Sequence, residues 1–546
     1  MIHSTKEALL MQKDKTPREK HPSAFEPMTL ILNIALSVFG AMIGMQLITS
    51  LGVTPSTSII GAIAAMLIAR IPMEIFSKYR STHRQNLVQT SISSATFGAA
   101  NSLLIPIGIP FAMNMPELII PMLIGAGLAM FVDTALLYKL FDSKIFPASG
   151  TWAPGVATAE AIIAGDKGGK RGVLLGVGTG AGLLGSYLGI SMSAFGVAFI
   201  GNIWALTMFG IGLLLRQYSV PLFHQDLNAL YIPHGFMIGA GIVALFQVAF
   251  IILKKKKPAA ATAGNANNPE DSYTQNEKTT SRILGLGFVA YLVVALIVAL
   301  AGGLMTDMSF GMLIGFLLFA AFAAYVHELI VGIAAMHSGW FPAFAIALIT
   351  LIIGMMIGFP PVALALLVGF SAATGPAFAD MGYDLKTGYI LRGQGADAAL
   401  EVDGRKQQYI TGLIAFGVAL ITVAFSYQSF FSQGLIPPVD KVYASTIAAG
   451  TSPEVAKQLF LWAIPGALLQ LIGGSNRQLG VMFATGLLIL NPNAGWAVLA
   501  GILIRFVVLK VKGKQAESTL SILAAGFIAG DALYSFCNSL IKFAKK

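Results

Sequence analysis

The chain has 546 residues, of which 56% are hydrophobic and only 11% charged, whereas soluble domains carry roughly a quarter charged residues. That balance excludes a soluble globular protein and points to a polytopic membrane protein. The formal charge of +10 does not mark a nucleic-acid binder, because the basic residues gather between alternate apolar runs.

A bilayer core about 30 Å thick calls for about 20 apolar residues per helical crossing. Runs of that kind lie at 29–50, 56–76, 87–110, 116–140, 172–193, 195–215, 235–253, 283–303, 308–326, 341–358, 360–379, 409–431, 457–474, 478–491, 493–510 and 518–538. They predict an all-α protein with about 14–16 transmembrane helices. A strand barrel is excluded, since its strands would alternate in polarity. Lys6, Lys13, Lys15, Arg18 and Lys20 precede the first run, Arg70, Lys78, Arg80 and Arg84 follow the second, and Lys139 and Lys144 follow the fourth. This is the positive-inside pattern and places the amino terminus in the cytoplasm. Lys542, Lys545 and Lys546 predict the same for the carboxyl end, hence an even number of crossings of a cell (inner) membrane. The polar first residues and the long first apolar run do not form a cleavable signal peptide. The single cysteine, Cys537, excludes a disulfide framework or a multi-cysteine metal cage. No cofactor is implied.

Residues 254–282 (KKKKPAAATAGNANNPEDSYTQNEKTTSR) are polar and rich in small side chains, too poor in apolar surface to offset the entropy of ordering. They read as a cytoplasmic linker between a first transmembrane half, 29–253, and a second, 283–546, after an N-terminal tail, 1–28. Each half contains a Gly/Pro-interrupted apolar segment, FPASGTWAPGVATAEAIIAG at 146–165 and AATGPAFADMGYDLKTGY at 372–389. Broken segments at corresponding places in two halves are the best sequence pointer to a transport site. One topological conflict remains: Arg216 and Lys254–Lys257 both call for the cytoplasm, yet one clear run, 235–253, separates them. Either 217–234 crosses irregularly or a run around 172–215 is misplaced.

Several motifs imitate other chemistry. Gly180, Gly182 and Gly185 spell G-x-G-x-x-G, but within a bilayer-length apolar helix, where glycines four apart mark close helix packing. GDKGGKRG lacks the first Gly and the final Ser/Thr of a phosphate loop. His327-Glu328 would need a second His at position 331 for a zinc protease, and Val331 stands there. A charge at mid-bilayer costs about 2.5–3.5 kcal/mol on insertion scales, so the pair is a candidate proton relay. Asp133, Asp307, Glu160 and Asp531 also lie in or beside apolar runs. Glu160 is the strongest of these because it belongs to the first broken segment.

The stretch Asp380-Met-Gly-Tyr383-Asp384-Leu-Lys386-Thr-Gly-Tyr389 resembles the D-x-x-x-D-[FL]-K-T-G-Y signature of the oligopeptide transporter family, particularly its metal-chelate (yellow stripe-like) branch and prokaryotic relatives. Asn86-Leu-Val-Gln89-Thr90-Ser-Ile-Ser-Ser-Ala95 resembles the family's Q-T segment, and Ser149-Gly150-Thr151 with Ala157-Thr158-Ala159 its S-G-T-A-T-A element. The resemblance spans roughly residues 29–510 and implies a secondary importer, usually proton-coupled, of small peptides or metal–ligand chelates.

The residues themselves supply a mechanism. Pro376 has no amide hydrogen and disfavours helix in the residue before it, so Gly375-Pro376 breaks the preceding helix. Beyond the break, Asp380 and Asp384 share one helical face, with Tyr383 and Thr387 beside it and Lys386 on another. One of the two aspartates is expected to carry the coupling proton or meet a cationic substrate group, and Lys386 an anionic group or the other half. Gln89 and Thr90 offer hydrogen bonds, Ser149, Gly150 and Thr151 offer hydroxyls and amides, and Tyr383 and Tyr389 offer apolar bodies with polar tips. The competing classes are a passive channel and a membrane metalloenzyme centred on His327. Expected partners are the substrate, protons and membrane lipids, and a homo-oligomer is compatible with this reading.

Overall fold

The computed structural model describes residues 20–51, 57–253, 277–339, 341, 343–450, 453–488 and 493–544. Most of the expected linker, residues 254–276, and most of the N-terminal tail lie outside the described residues. Among these, eleven helices are long and apolar enough to cross a membrane, and four shorter apolar helices accompany them. The protein is an all-α polytopic membrane protein, as its sequence predicts.

Helices α1 (Pro27–Leu51) and α2 (Thr57–Ile68) pack on α3 (Thr82–Phe97). This third helix is polar in sequence, THRQNLVQTSISSATF, yet every residue from Gln85 to Phe97 is buried. A buried polar helix must find partners for its side chains, and α3 therefore marks the polar interior. It runs without a turn into a π-helical segment, Gly98–Leu104, a winding that occurs frequently at functional sites. Helix α4 (Ile119–Leu140) returns, and the chain then enters the protein as the segment 141–152 and leaves it as α5 (Ala153–Lys167).

The conflict around Arg216 resolves in the next hairpin. Helix α6 (Gly169–Tyr187) is followed by α7 (Met192–Ile200) and α8 (Ile203–Phe223), which meet at Gly201-Asn202. Asn493 bonds both to the Gly189 carbonyl just before α7 and to Gln217 late in α8, 3.4 Å each, so the two helices leave and return to the same end. The run 195–215 therefore contains the turn of a hairpin and is not one continuous crossing. Arg216 stays at the end opposite the basic clusters and is neutralised there by Asp226, whose carboxyl the guanidinium holds below the usual carboxylate range.

In the second half, α9 (Glu277–Ala301) begins inside the expected linker, and α10 (Phe310–Ser338) carries His327 and Glu328. Helices α11 (Pro361–Ala373) and α12 (Pro376–Leu391) form one almost wholly buried crossing with a break between them. Helix α13 (Ala398–Ser432) follows, with Asp397 capping its first amides.

The last helix, α14 (Glu517–Ala544), starts where Ser518 meets Arg171 and passes Ser186 and Tyr187 through Asp531 and Tyr534, so it runs alongside α6 in the same direction.

Candidate functional site

The break between α11 and α12 lies inside the protein. Thr374 is extended, Gly375 has φ of 93°, and Pro376 opens α12. A positive φ of this size is readily adopted by glycine alone. Helix resumes at once, so Asp380 and Asp384 sit about 7.5 Å and 13.5 Å beyond Gly375 along the axis at 1.5 Å per residue.

Both aspartates are wholly buried and face the polar helix α3. Ser93 donates to Asp380 Oδ1 (2.7 Å), Ser94 donates to Asp384 Oδ2 (3.2 Å), and Gln89 and Ser58 donate to Asp384 Oδ1. Asn86 Nδ2 holds Gln89 Oε1 at 3.0 Å, which aims the Gln89 amide nitrogen at the carboxylate. Ser58 and Ser93 lie 2.9 Å apart, tying the two halves of this donor set together.

The two broken segments meet at this point. Lys386 Nζ donates to the Ala148 carbonyl (2.7 Å) and Thr387 to the Gly155 carbonyl (3.1 Å). Trp152, at the inner tip of the first segment, takes a left-handed conformation (φ 38°) and is anchored by its amide to Met336 O at 2.9 Å. Its ring lies on Gly382, where an added Cβ would fall 2.2 Å from Cζ3, so the glycine of D-M-G-Y is required by close approach. The Trp152 and Tyr383 rings stand edge to face at 6.0 Å. Three buried polar atoms in this neighbourhood have no hydrogen-bond partner: Asp380 Oδ2, Tyr383 Oη and Trp152 Nε1. Unsatisfied buried polar groups are expensive, and an acceptor, a hydroxyl and a donor gathered on the contact of two broken segments suit a polar solute.

A chain of bonds leads from the pocket to the basic end. Gln408 on α13 donates to the Asp384 carbonyl (2.7 Å) and to Thr90 (3.2 Å), and accepts from Arg392 (2.7 Å). Arg392 pairs with Glu401 at 2.8 Å, and Arg405 joins Glu401 at 3.2 Å and the Phe141 carbonyl at 3.2 Å. All three ionic side chains are buried.

Other expected site residues fall elsewhere. Tyr389 borders the pocket, its ring 5.4 Å from Lys386 Nζ. Ser149 is exposed, and Gly150 and Thr151 are half-buried; none of the three bonds to either aspartate, whose donors are Ser58, Gln89, Ser93 and Ser94. Glu160 is paired with Arg171 at 2.9 Å, on the part of α5 that has already left the pocket. His327 is buried beside Ser371, Nδ1 to Oγ 3.2 Å, and Ser371 donates on to Thr350. Asp307 is exposed, and Asp531 accepts from Ser186 and from the Ser193 amide (2.9 Å).

Sequence reasoning passed over Ser93, Ser94, Ser58, Gln408, Trp152 and Tyr291. For Ser93 a signal existed: it lies one helical turn after Gln89, on the face that already carried a candidate. Asp133 was noted but ranked below Glu160; it approaches the break itself and accepts from the Gly375 amide at 2.6 Å.

Fold and pocket together define a polytopic helical membrane protein in which two interrupted segments close on a buried acidic site. The profile described as OPT oligopeptide transporter protein matches the chain over residues 27–220 and 173–542, which together take in most of its length. The chain belongs to the oligopeptide transporter family. No curated protein matches it. The family is one of membrane transporters, and the transport class follows for this chain.

Proposed function

We propose that this protein is a secondary active, proton-coupled symporter that imports small oligopeptides into the cytoplasm by alternating access, with Asp380, Asp384, Tyr383 and Trp152 lining the substrate pocket. The observation that carries this reading is the burial of Asp380 and Asp384 where the two broken segments meet, with Asp380 Oδ2, Tyr383 Oη and Trp152 Nε1 left unpartnered. A peptide offers N–H and carbonyl groups and a terminal ammonium, which answer such an acceptor, hydroxyl and donor. The two halves are held by Lys386 and Thr387 on the carbonyls of Ala148 and Gly155, contacts that rocking of one half would break and remake. Metal–ligand chelates carry similar amine and carboxylate groups and are the competing substrate class.

The test is uptake of trialanine into proteoliposomes with and without an inward proton gradient. Asp384→Asn is expected to lower gradient-driven uptake at least about tenfold, the equivalent of about 1.4 kcal/mol. Wild-type uptake in both Asp380→Asn and Asp384→Asn would remove these residues from the site. Competition by a metal chelate and not by peptides would move the substrate to the other class.

A further inference from the structure

A second pair of acids lies on the other side of the break. Asp133 on α4 is wholly buried and accepts two bonds, one on each oxygen: from the Tyr291 hydroxyl of α9 and from the Gly375 amide at 2.6 Å. It caps the start of α12 from a neighbouring helix, a place where orphan amides and the helix dipole favour a negative charge. With a donor on each oxygen, Asp133 is the better placed of the two acids to carry the charge.

Glu328 on α10 is 1% exposed. Its Oε1 has no hydrogen-bond partner, and the one hydrogen of the neighbouring Tyr291 hydroxyl goes to Asp133. A carboxylate there would lack the donors that a neutral carboxylic acid does not require. The other titratable groups around it are Tyr325 and His327. The ion pairs among the described residues include neither Asp133 nor Glu328, so no cation offsets a second charge here, and a lone buried ion is costly.

We propose that Glu328 is a proton-binding site, distinct from the Asp380–Asp384 pocket, beside the Tyr291–Asp133 cap of the helix break. Loss of that proton sets a second carboxylate beside Asp133, and repulsion between them acts on the carboxylate that holds Gly375. That amide stands at the start of α12, the helix that carries Asp380 and Asp384. Proton occupancy at Glu328 thereby bears on the position of the substrate aspartates through one rigid helix. The proton's placement rests on burial and the missing partner, and its use in coupling rests on the transporter reading above.

Glu328→Gln keeps the shape of the protonated acid and carries no charge. In full-length protein in lipid nanodiscs at neutral pH, the infrared difference between wild type and Glu328→Gln is expected to show the loss of one protonated-carboxyl stretch. Loss of an ionised-carboxylate pair of bands would overturn the assignment. In proteoliposomes, Glu328→Gln is expected to keep trialanine exchange at equal pH and to lose accumulation driven by a proton gradient at least about tenfold. Undiminished accumulation would overturn the coupling role. If wild type moves no trialanine at all, the peptide reading fails while the infrared result still decides the proton.

Discussion

Asp380 and Asp384 lie beyond the Gly375 break and meet four donor side chains, Ser58, Gln89, Ser93 and Ser94, carried by two helices that are themselves cross-linked. Asp133 and Glu328 lie on its other side, Asp133 held by the Tyr291 hydroxyl and the Gly375 amide and Glu328 with Oε1 unpartnered. Rotatable hydroxyls and amides can change partners when a solute arrives, whereas a buried carboxyl without a partner can change only by gaining or losing a proton. The contrast separates a site suited to binding from a site suited to proton storage, although both consist of two buried carboxyl groups around the same helix break.

The contrast breaks most clearly under truncation of one acid from each pair. Asp133→Ala strands two buried donors, the Tyr291 hydroxyl and the Gly375 amide, at about 1–3 kcal/mol each. A loss of about 2–6 kcal/mol of stability is expected, read as a large drop in melting temperature. Asp384→Ala strands the Gln89 amide nitrogen, whereas Ser58 keeps Ser93, so its stability loss is expected to be about 1–3 kcal/mol, below that of Asp133→Ala, while its uptake falls the most. Equal destabilisation by the two variants would erase the distinction.

Gly382→Ala sharpens the same comparison from the binding side. Its Cβ would sit 2.2 Å from the Trp152 ring, and Trp152 is wholly buried and already in left-handed backbone, so the ring has little freedom to retreat. Overpacking of this kind costs about 1–3 kcal/mol. The strain falls between the two broken segments and leaves the Asp133 cap untouched. Melting temperature and trialanine uptake are expected to fall together while the Glu328 carboxyl stretch stays where it is in wild type. A shifted stretch would show that the two acid pairs are not separable.

The sequence makes the fold class, the break at Gly375-Pro376 and the shared face of Asp380 and Asp384 legible, because each follows from local rules: apolar run length, the missing proline amide, and a spacing of four. It does not reveal Gln408 or Tyr291, single polar residues in long helices that acquire meaning only when a distant helix is laid beside them. The hairpin of α7 and α8 is hidden for a related reason. Both of its arms are as apolar as a crossing, and the turn at Gly201-Asn202 is marked by two ordinary residues. Glu160 outranked Asp133 by membership of a broken segment, yet the break is capped from α4, a helix with no irregularity of its own.

The smallest expected effect concerns the basic end, and it guards the comparison against a false positive. His21 is buried against Arg392 and His83, with Asp403 nearby, and burial, aided by the Arg392 charge, pushes its pKa down from 6.5 to about 4. The docked imidazole is neutral, whereas a released N-terminal stretch would protonate near 6.5. Docking is therefore at full strength above neutrality and weakens as pH falls from about 6.5 toward 4, by up to about 1 kcal/mol at about pH 6. Because Arg392 also holds Gln408, which holds the Asp384 carbonyl, this loosening can reach the pocket and imitate proton coupling. His21→Gln is expected to flatten the decline of melting temperature between pH 7 and about pH 6 and to leave gradient-driven trialanine accumulation intact. If His21→Gln instead abolishes accumulation while Glu328→Gln does not, the pH response originates at the surface, and the proton site belongs to the basic end rather than to the helix break.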